Sequence, residues 1–151
     1  MASTHFSGPV IAGDLQQGEV GGPNQGPVRL SQVTNLTQNS TTAVSSTLYI
    51  PAGSIIESIV VDVLTAFDSA TSATLSVGLT AGGTQYASGV NVKAATGRIA
   101  VAYTAAQLAA MSGQSIVGVA APTTAPVVVT ITPVGATTAG YVHVTLNYIQ
   151  L

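Results

Sequence analysis

An antiparallel β-sandwich of about eight strands, preceded by an extended N-terminal arm and carrying one short helix, is the fold this sequence predicts. Three observations lead there. Apolar and polar residues alternate with a period of two along several segments, the pattern of strands with one buried face. Turn signals recur about every 8–12 residues, the spacing of antiparallel all-β domains rather than of βαβ units. The length of 151 residues fits one domain, and a domain of about 150 residues removes roughly 70% of its unfolded surface from water. With no cysteine in the chain, the core must hold without disulfides, as suits synthesis in a reducing cytoplasm.

Residues 1–27 stand apart by composition. Gly8, Pro9, Gly13, Gly18, Gly21, Gly22, Pro23, Gly26 and Pro27 interrupt any regular element, and the interleaved Gln and Asn supply no core. Two readings are open: a disordered tail, which such composition usually gives, or an arm that orders on a partner. Phe6, Val10, Ile11 and Leu15 favour the arm, because they give it apolar side chains to bury. The body of the domain is placed at residues 28–151. The opening residues Met1 to Phe6 lack the basic start and apolar stretch of a secretory signal, so none is expected.

From Arg29 onward the chain reads as a succession of β-type segments. Thr74 to Thr80 alternates polar and apolar residues without a break, and Val142, Val144, Leu146 and Tyr148 alternate with His143, Thr145 and Asn147. Arg98 to Tyr103 is a third such segment. Pro126 to Pro133 is a fourth, with a proline expected to stop it at each end. The run Ile55 to Leu64 changes phase near Glu57 and Ser58, which calls for a β-bulge or for a strand buried on both faces. Turns are marked by Pro51-Ala52-Gly53, Gly82-Gly83 and Thr138-Ala139-Gly140. The short helix follows Thr104, whose spacing to Gln107 is that of a capping box; Leu108 and Met111 follow on one side and Gly113 can end it.

Charge decides which functions are excluded. Three Lys+Arg and five Asp+Glu make 5% of the chain charged, against roughly 25% in ordinary soluble domains. Arg29, Lys93 and Arg98 are the only cations and the net charge is −2, so no basic field is present to hold nucleic acid. Ser, Thr, Gly, Asn and Gln interrupt every apolar run, so no membrane span is expected either. A surface of neutral hydroxyls and amides can pack against protein with few charges to strip of water. Edges with so little lysine invite pairing with other chains, and an assembly is expected to cover them.

Catalytic patterns are weak. Gly113-Gln114-Ser115-Ile116-Val117 approaches a nucleophile elbow, but the second glycine comes one residue late, at Gly118. His5 and His143 show no ligand spacing with Asp62 or Asp68, so neither metal nor cofactor is expected; His143 is expected to face solvent or a partner. Glu57, Asp62 and Asp68 show no glycosidase pairing in the sequence, and Asp68 reads as a turn former. The sequons at Asn35 and Asn39 read as chance in a Thr-rich chain.

Certain segments, in their order and spacing, resemble tailed-bacteriophage capsid decoration (cement) proteins. Ser3 to Val10 resembles the N-termini of small structural proteins of that group. The segment Ile50-Pro51-Ala52-Gly53, with Ile55-Ile56, Ile59 to Val63, Thr65 to Asp68 and Thr74 to Gly78, is similar to a pattern in virion decoration and head-fibre subunits. Gly140 to Ile149 resembles their closing strand. The Gly/Gln-rich stretch from Gly13 to Gly26 departs from the pattern. The resemblance implies a jelly-roll sandwich on the outer surface of the capsid that clamps neighbouring major capsid subunits and carries no catalytic residues. His5, Phe6, Pro9, Val10, Ile11 and Leu15 are then the candidate capsid contacts. A homo-oligomer is expected, a dimer as the commonest closed form, with a trimer at a three-fold position as the alternative. The competing function is a head-fibre or tail accessory subunit that recognises a host surface; a virion-associated hydrolase ranks behind both.

Overall fold

The computed structural model describes residues 28–51, 54–93, 95–113 and 124–150. In chain order the elements are β1 (Val28–Thr37), β2 (Val44–Pro51), β3 (Ser54–Thr65), β4 (Ser72–Gly78), β5 (Ala87–Asn91), β6 (Gly97–Ile99), α1 (Ala105–Gly113), β7 (Thr124–Val134) and β8 (Tyr141–Gln150). The expected arm, residues 1–27, lies outside the described residues.

The eight strands form two four-stranded sheets, ordered β1-β8-β3-β6 and β2-β7-β4-β5, and all neighbours are antiparallel. Every connection except β4–β5 passes from one sheet to the other. This is the double Greek key of a jelly roll.

Period-two patterning creates the core between the sheets. Val142, Val144, Leu146 and Tyr148 of β8 are buried and face Val127, Val129 and Ile131 of β7 across the sandwich, with Ala73, Leu75 and Val77 of β4 beside them. Burying one such aliphatic side chain stabilises the fold by about 1.5–3 kcal/mol, whereas an exposed ion pair contributes about 0–1 kcal/mol. The core therefore outweighs the two surface ion pairs.

The phase change in β3 is a bulge. Its pairing with β8 shifts between Ile56 and Ser58, so Glu57 is the extra residue. Ile56 before it and Ile59 after it both point inward and are buried. Without the bulge one of the two would turn to the outer face.

Two expected strands end differently. β6 covers only Gly97–Ile99, because the chain leaves the edge of β3 after Ile99. Tyr103 returns to that edge with its side chain: its hydroxyl accepts from Ile59 N–H at 3.1 Å and donates to Ile59 C=O at 3.2 Å. Strand β4 stops at Gly78, not Thr80. Gly83 N–H closes a turn on Thr80 C=O at 2.9 Å, and Leu79 is left exposed.

The prolines of β7 lie inside the strand rather than ending it. Pro126 stands opposite Tyr49 of β2, and Pro133 opposite Ala73 of β4. Val77 and Ala73 carbonyls accept from Tyr86 and Val92 N–H, so odd residues of β4 turn their backbone groups to β5 and even ones to β7. Alternation across the ladder then directs even residues of β7 to β4 and odd ones to β2. Pro126 points toward β4 beyond its last pair, Gly78–Val128, and Pro133 toward β2 beyond its last pair, Val44–Ile131. Neither proline removes a ladder bond.

Helix α1 opens on the expected capping box. Thr104 N–H donates to Gln107 Oε1 at 2.9 Å, and Gln107 N–H donates to Thr104 Oγ1 at 3.2 Å. Its inward side differs from the expected one: Leu108 is half exposed, while Gln107 and Met111 are buried. Gln107 Nε2 donates to Thr84 C=O at 3.1 Å and to Ser88 Oγ at 3.0 Å, tying the helix to the approach and start of β5.

Candidate interaction surface

All six charged side chains among the described residues are engaged within the chain. Arg29 Nη2 lies 3.0 Å from Glu57 Oε1, joining β1 to the β3 bulge. Arg98 on β6 grips Asp62 on β3 with two parallel bonds, Nε to Oδ1 at 2.8 Å and Nη2 to Oδ2 at 2.9 Å. That hydrogen-bonded guanidinium holds the Asp62 carboxyl below the usual carboxylate range. Lys93 Nζ donates to the carbonyls of Ala70 and Thr71 at 3.0 and 3.3 Å.

Asp68, read from sequence as a turn former, does more than shape its own turn. Thr138 Oγ1, Ala139 N–H and Thr138 N–H all donate to its carboxylate, and these bonds hold its pKa down to about 2. Glu57, Asp62 and Asp68 thus each serve a different local partner. Among the described residues no group of three or more His, Cys, Asp or Glu gathers as a metal site.

The two ion pairs lie on the first sheet, and no strand of the second sheet carries a charged side chain. On the second sheet, Ser45 and Thr47 of β2, Thr130 and Thr132 of β7, and Thr74 and Ser76 of β4 form a field of hydroxyls. Ser45 Oγ and Thr130 Oγ1 share a hydrogen bond of 2.9 Å across the strands, and Gly82 N–H donates to Thr130 Oγ1 at 2.8 Å. The β4–β5 loop thereby folds over this face. It comes so close at Gly78 that an added Cβ would lie 2.1 Å from Gln85 Oε1.

On the first sheet, the outward row of β8 is Tyr141, His143, Thr145, Asn147 and Ile149. His143 lies on the outer face, half-buried between Asn35 of β1 and Asp62 of β3. Its Nε2 is 3.1 Å from Tyr141 Oη, and the two rings meet edge-on. Asn147 Nδ2 donates to Ser58 Oγ at 2.9 Å.

The two sides of the sandwich treat their strand edges differently. On one side, β6 is three residues long with Tyr103 continuing its work, and β5 pairs with a register shift and bends at Gly89, whose φ is 65°. On the other, β1 runs for ten residues and β2 for eight, each pairing inward without a register shift. Here Val28, Leu30, Val33 (53% exposed) and Tyr49 (57% exposed) present apolar surface. Short, bent and covered edges resist pairing with other chains; long regular ones permit it.

The candidate contact residues His5, Phe6, Pro9, Val10, Ile11 and Leu15 lie outside the described residues, as do Gln114 to Val117 of the near-elbow. The β1 edge was not singled out by the sequence reading. Its signal was an apolar Val33 on the polar phase of a strand whose inward phase is Leu30, Gln32, Thr34 and Leu36. A comparison with protein-family models finds no match to this chain, and comparisons with curated proteins and with solved structures find none either.

Proposed function

We propose that this chain is a structural virion protein: a capsid decoration, or cement, protein that lies on the outer surface of a phage head and clamps neighbouring major capsid subunits. One observation carries the reading. Each described charge is paired within its own chain, so the sheet faces offer a partner neutral hydroxyls, amides, a few apolar side chains and two closed ion pairs. Such faces dock on protein without the several kcal/mol per ion that uncompensated charge burial costs.

The mechanism is contact area and multivalency, with no chemical step. Copies joined as one unit engage several shell sites, so the second contact becomes intramolecular and avidity rises by about 10²–10⁴. The 27 residues ahead of β1 would add reach: extended, they span on the order of 80 Å, enough to cross onto an adjacent capsid subunit. His5, Phe6, Pro9, Val10, Ile11 and Leu15 are the side chains this reading places on the shell. Synthesis in the host cytoplasm and residence on the virion surface follow from it.

The test is co-sedimentation of the purified protein with undecorated heads in about 0.1 M and 1 M salt, across which the Debye length shortens from roughly 10 Å to 3 Å. Binding retained at both is expected. Absence of binding, or complete release at high salt, overturns the reading.

A further inference from the structure

The free edge of β1 carries backbone groups that the described residues leave without a ladder partner, and their direction can be worked out strand by strand. Ile59 turns both its N–H and its C=O to the β6 side, where Tyr103 meets them. Val61 and Val63, in the same phase, pair with Ile99 and Gly97 of β6. The even residues Ser58, Val60 and Asp62 therefore bond to β8, opposite Asn147, Thr145 and His143. On β8 the remaining phase, Val142, Val144, Leu146 and Tyr148, bonds to Leu36, Thr34, Gln32 and Leu30 of β1. Arg29, Ser31, Val33, Asn35 and Thr37 are left pointing their N–H and C=O groups away from the sheet.

We propose that this edge pairs with the same edge of a second copy: two β1 strands run antiparallel about a two-fold axis at Val33, making one continuous sheet from two sandwiches. This deepens the decoration reading, on which its biological purpose rests. The pairing itself concerns the free protein.

A second copy is the occupant the edge fits. Val33 is the middle of the five outward-bonding residues, so centring there engages all of them at once: Val33 with Val33, Ser31 with Asn35, Arg29 with Thr37. The exposed Val33 side chains meet on the outer face as a cross-strand pair of β-branched residues. Charge supports the same arrangement. Arg29 is the sole ionised side chain on β1, and an antiparallel register carries it to the far end of the interface from its copy. A parallel pairing in register would set the two guanidinium groups side by side. On the inward phase, Leu30, partly exposed at the open end of the strand, comes opposite Leu36 of the second copy and extends the core across the axis. Pairing of this kind also withdraws from solvent the regular edge that the short β6 and bent β5 do not present.

The full chain has no cysteine, so single substitutions report the register directly. Residues opposite each other in a hydrogen-bonded pair have Cα atoms about 5.5 Å apart, within disulfide reach. Val33→Cys is expected to form a disulfide-linked dimer under mild oxidation. Ser31→Cys alone should not, since the two copies of residue 31 would lie about 14 Å apart along the strands. A mixture of Ser31→Cys and Asn35→Cys chains should cross-link to each other. Val33→Lys, which sets like charges on the axis, should shift the wild-type dimer to monomer in light scattering with an unchanged β circular-dichroism spectrum. A monomer or trimer for the wild type, a Val33→Cys thiol that stays free, or efficient cross-linking of Ser31→Cys alone overturns the proposal. Shell co-sedimentation is read separately, so failure to dimerise and failure to decorate are distinct results.

Discussion

The hydroxyl of Tyr103 bonds to both backbone groups of Ile59, accepting from its N–H at 3.1 Å and donating to its C=O at 3.2 Å. One side chain does what the next residue of β6 would otherwise do, and it finishes the edge of β3 without exposing a further strand. The ring packs against the core, as Ile99 and Val101 also do, which fixes the hydroxyl in place.

Tyr103→Phe keeps the ring and removes only these two bonds. At about 0.5–1.5 kcal/mol for each net hydrogen bond, a loss of about 1–3 kcal/mol is expected in urea unfolding. A loss under about 0.3 kcal/mol would mean that water satisfies the Ile59 groups as well as the tyrosine does.

The helix cap separates two contributions. Thr104→Ala deletes the side-chain half of the capping box and should cost about 0.5–2 kcal/mol. Gln107→Ala deletes the reciprocal half and also the bonds to Thr84 C=O and Ser88 Oγ, leaving a partly buried carbonyl without its donor. Its cost should exceed that of Thr104→Ala by about 1–3 kcal/mol. Equal losses in chemical denaturation would show that the tether to β5 is energetically idle.

Local rules made the β-sandwich, the β3 bulge and the helix cap readable in the sequence, because each depends on neighbours within a few residues. The prolines of β7 were misread because their tolerance depends on where β4 and β2 stop pairing, information held by other strands. The shortening of β6 depends on Tyr103 meeting Ile59, 44 residues away. The inward choice of Gln107 over Leu108 depends likewise on carbonyl and hydroxyl partners 23 and 19 residues off. The same holds for the surface: low charge was plain, but the pairing of Arg98 with Asp62 and Arg29 with Glu57 is tertiary. The β1 edge is legible only once β1 is known to be an outer strand.

Gly140 and Phe67 form a contact that only glycine permits. A Cβ built on Gly140 would lie 2.2 Å from Phe67 Cδ1, and Phe67 is fully buried. Gly140→Ala should destabilise by about 1–3 kcal/mol, the usual cost of overpacking a filled core. Phe67→Leu should lose stability by itself but make room for the added methyl. The double variant is therefore expected to be more stable than the sum of the two single losses, by about 0.5–3 kcal/mol. Strict additivity would place the strain of Gly140→Ala elsewhere.

Asp68 fastens the β3–β4 connection to the β7–β8 connection. Around it, Asp68 N–H donates to Ala139 C=O, Ala70 N–H to Ala136 C=O and Thr71 N–H to Val134 C=O, while Ser69 and Thr137 share a buried hydroxyl bond of 2.8 Å. The bonds from Thr138 and Ala139 favour the ionised carboxylate and lower its pKa to about 2 in the folded protein. Because the folded value lies below the unfolded one, this contribution is fully present above the ordinary carboxylate pKa of about 3.9. It is lost as pH falls through about 2. Asp68→Asn lacks the charge at every pH, so its melting temperature should fall below that of the wild type at neutral pH. The gap should close between about pH 4 and pH 2. Thermal melts of both proteins across that range measure it directly, and a gap that stays constant down to pH 2 would show that the clamp does not depend on ionised Asp68.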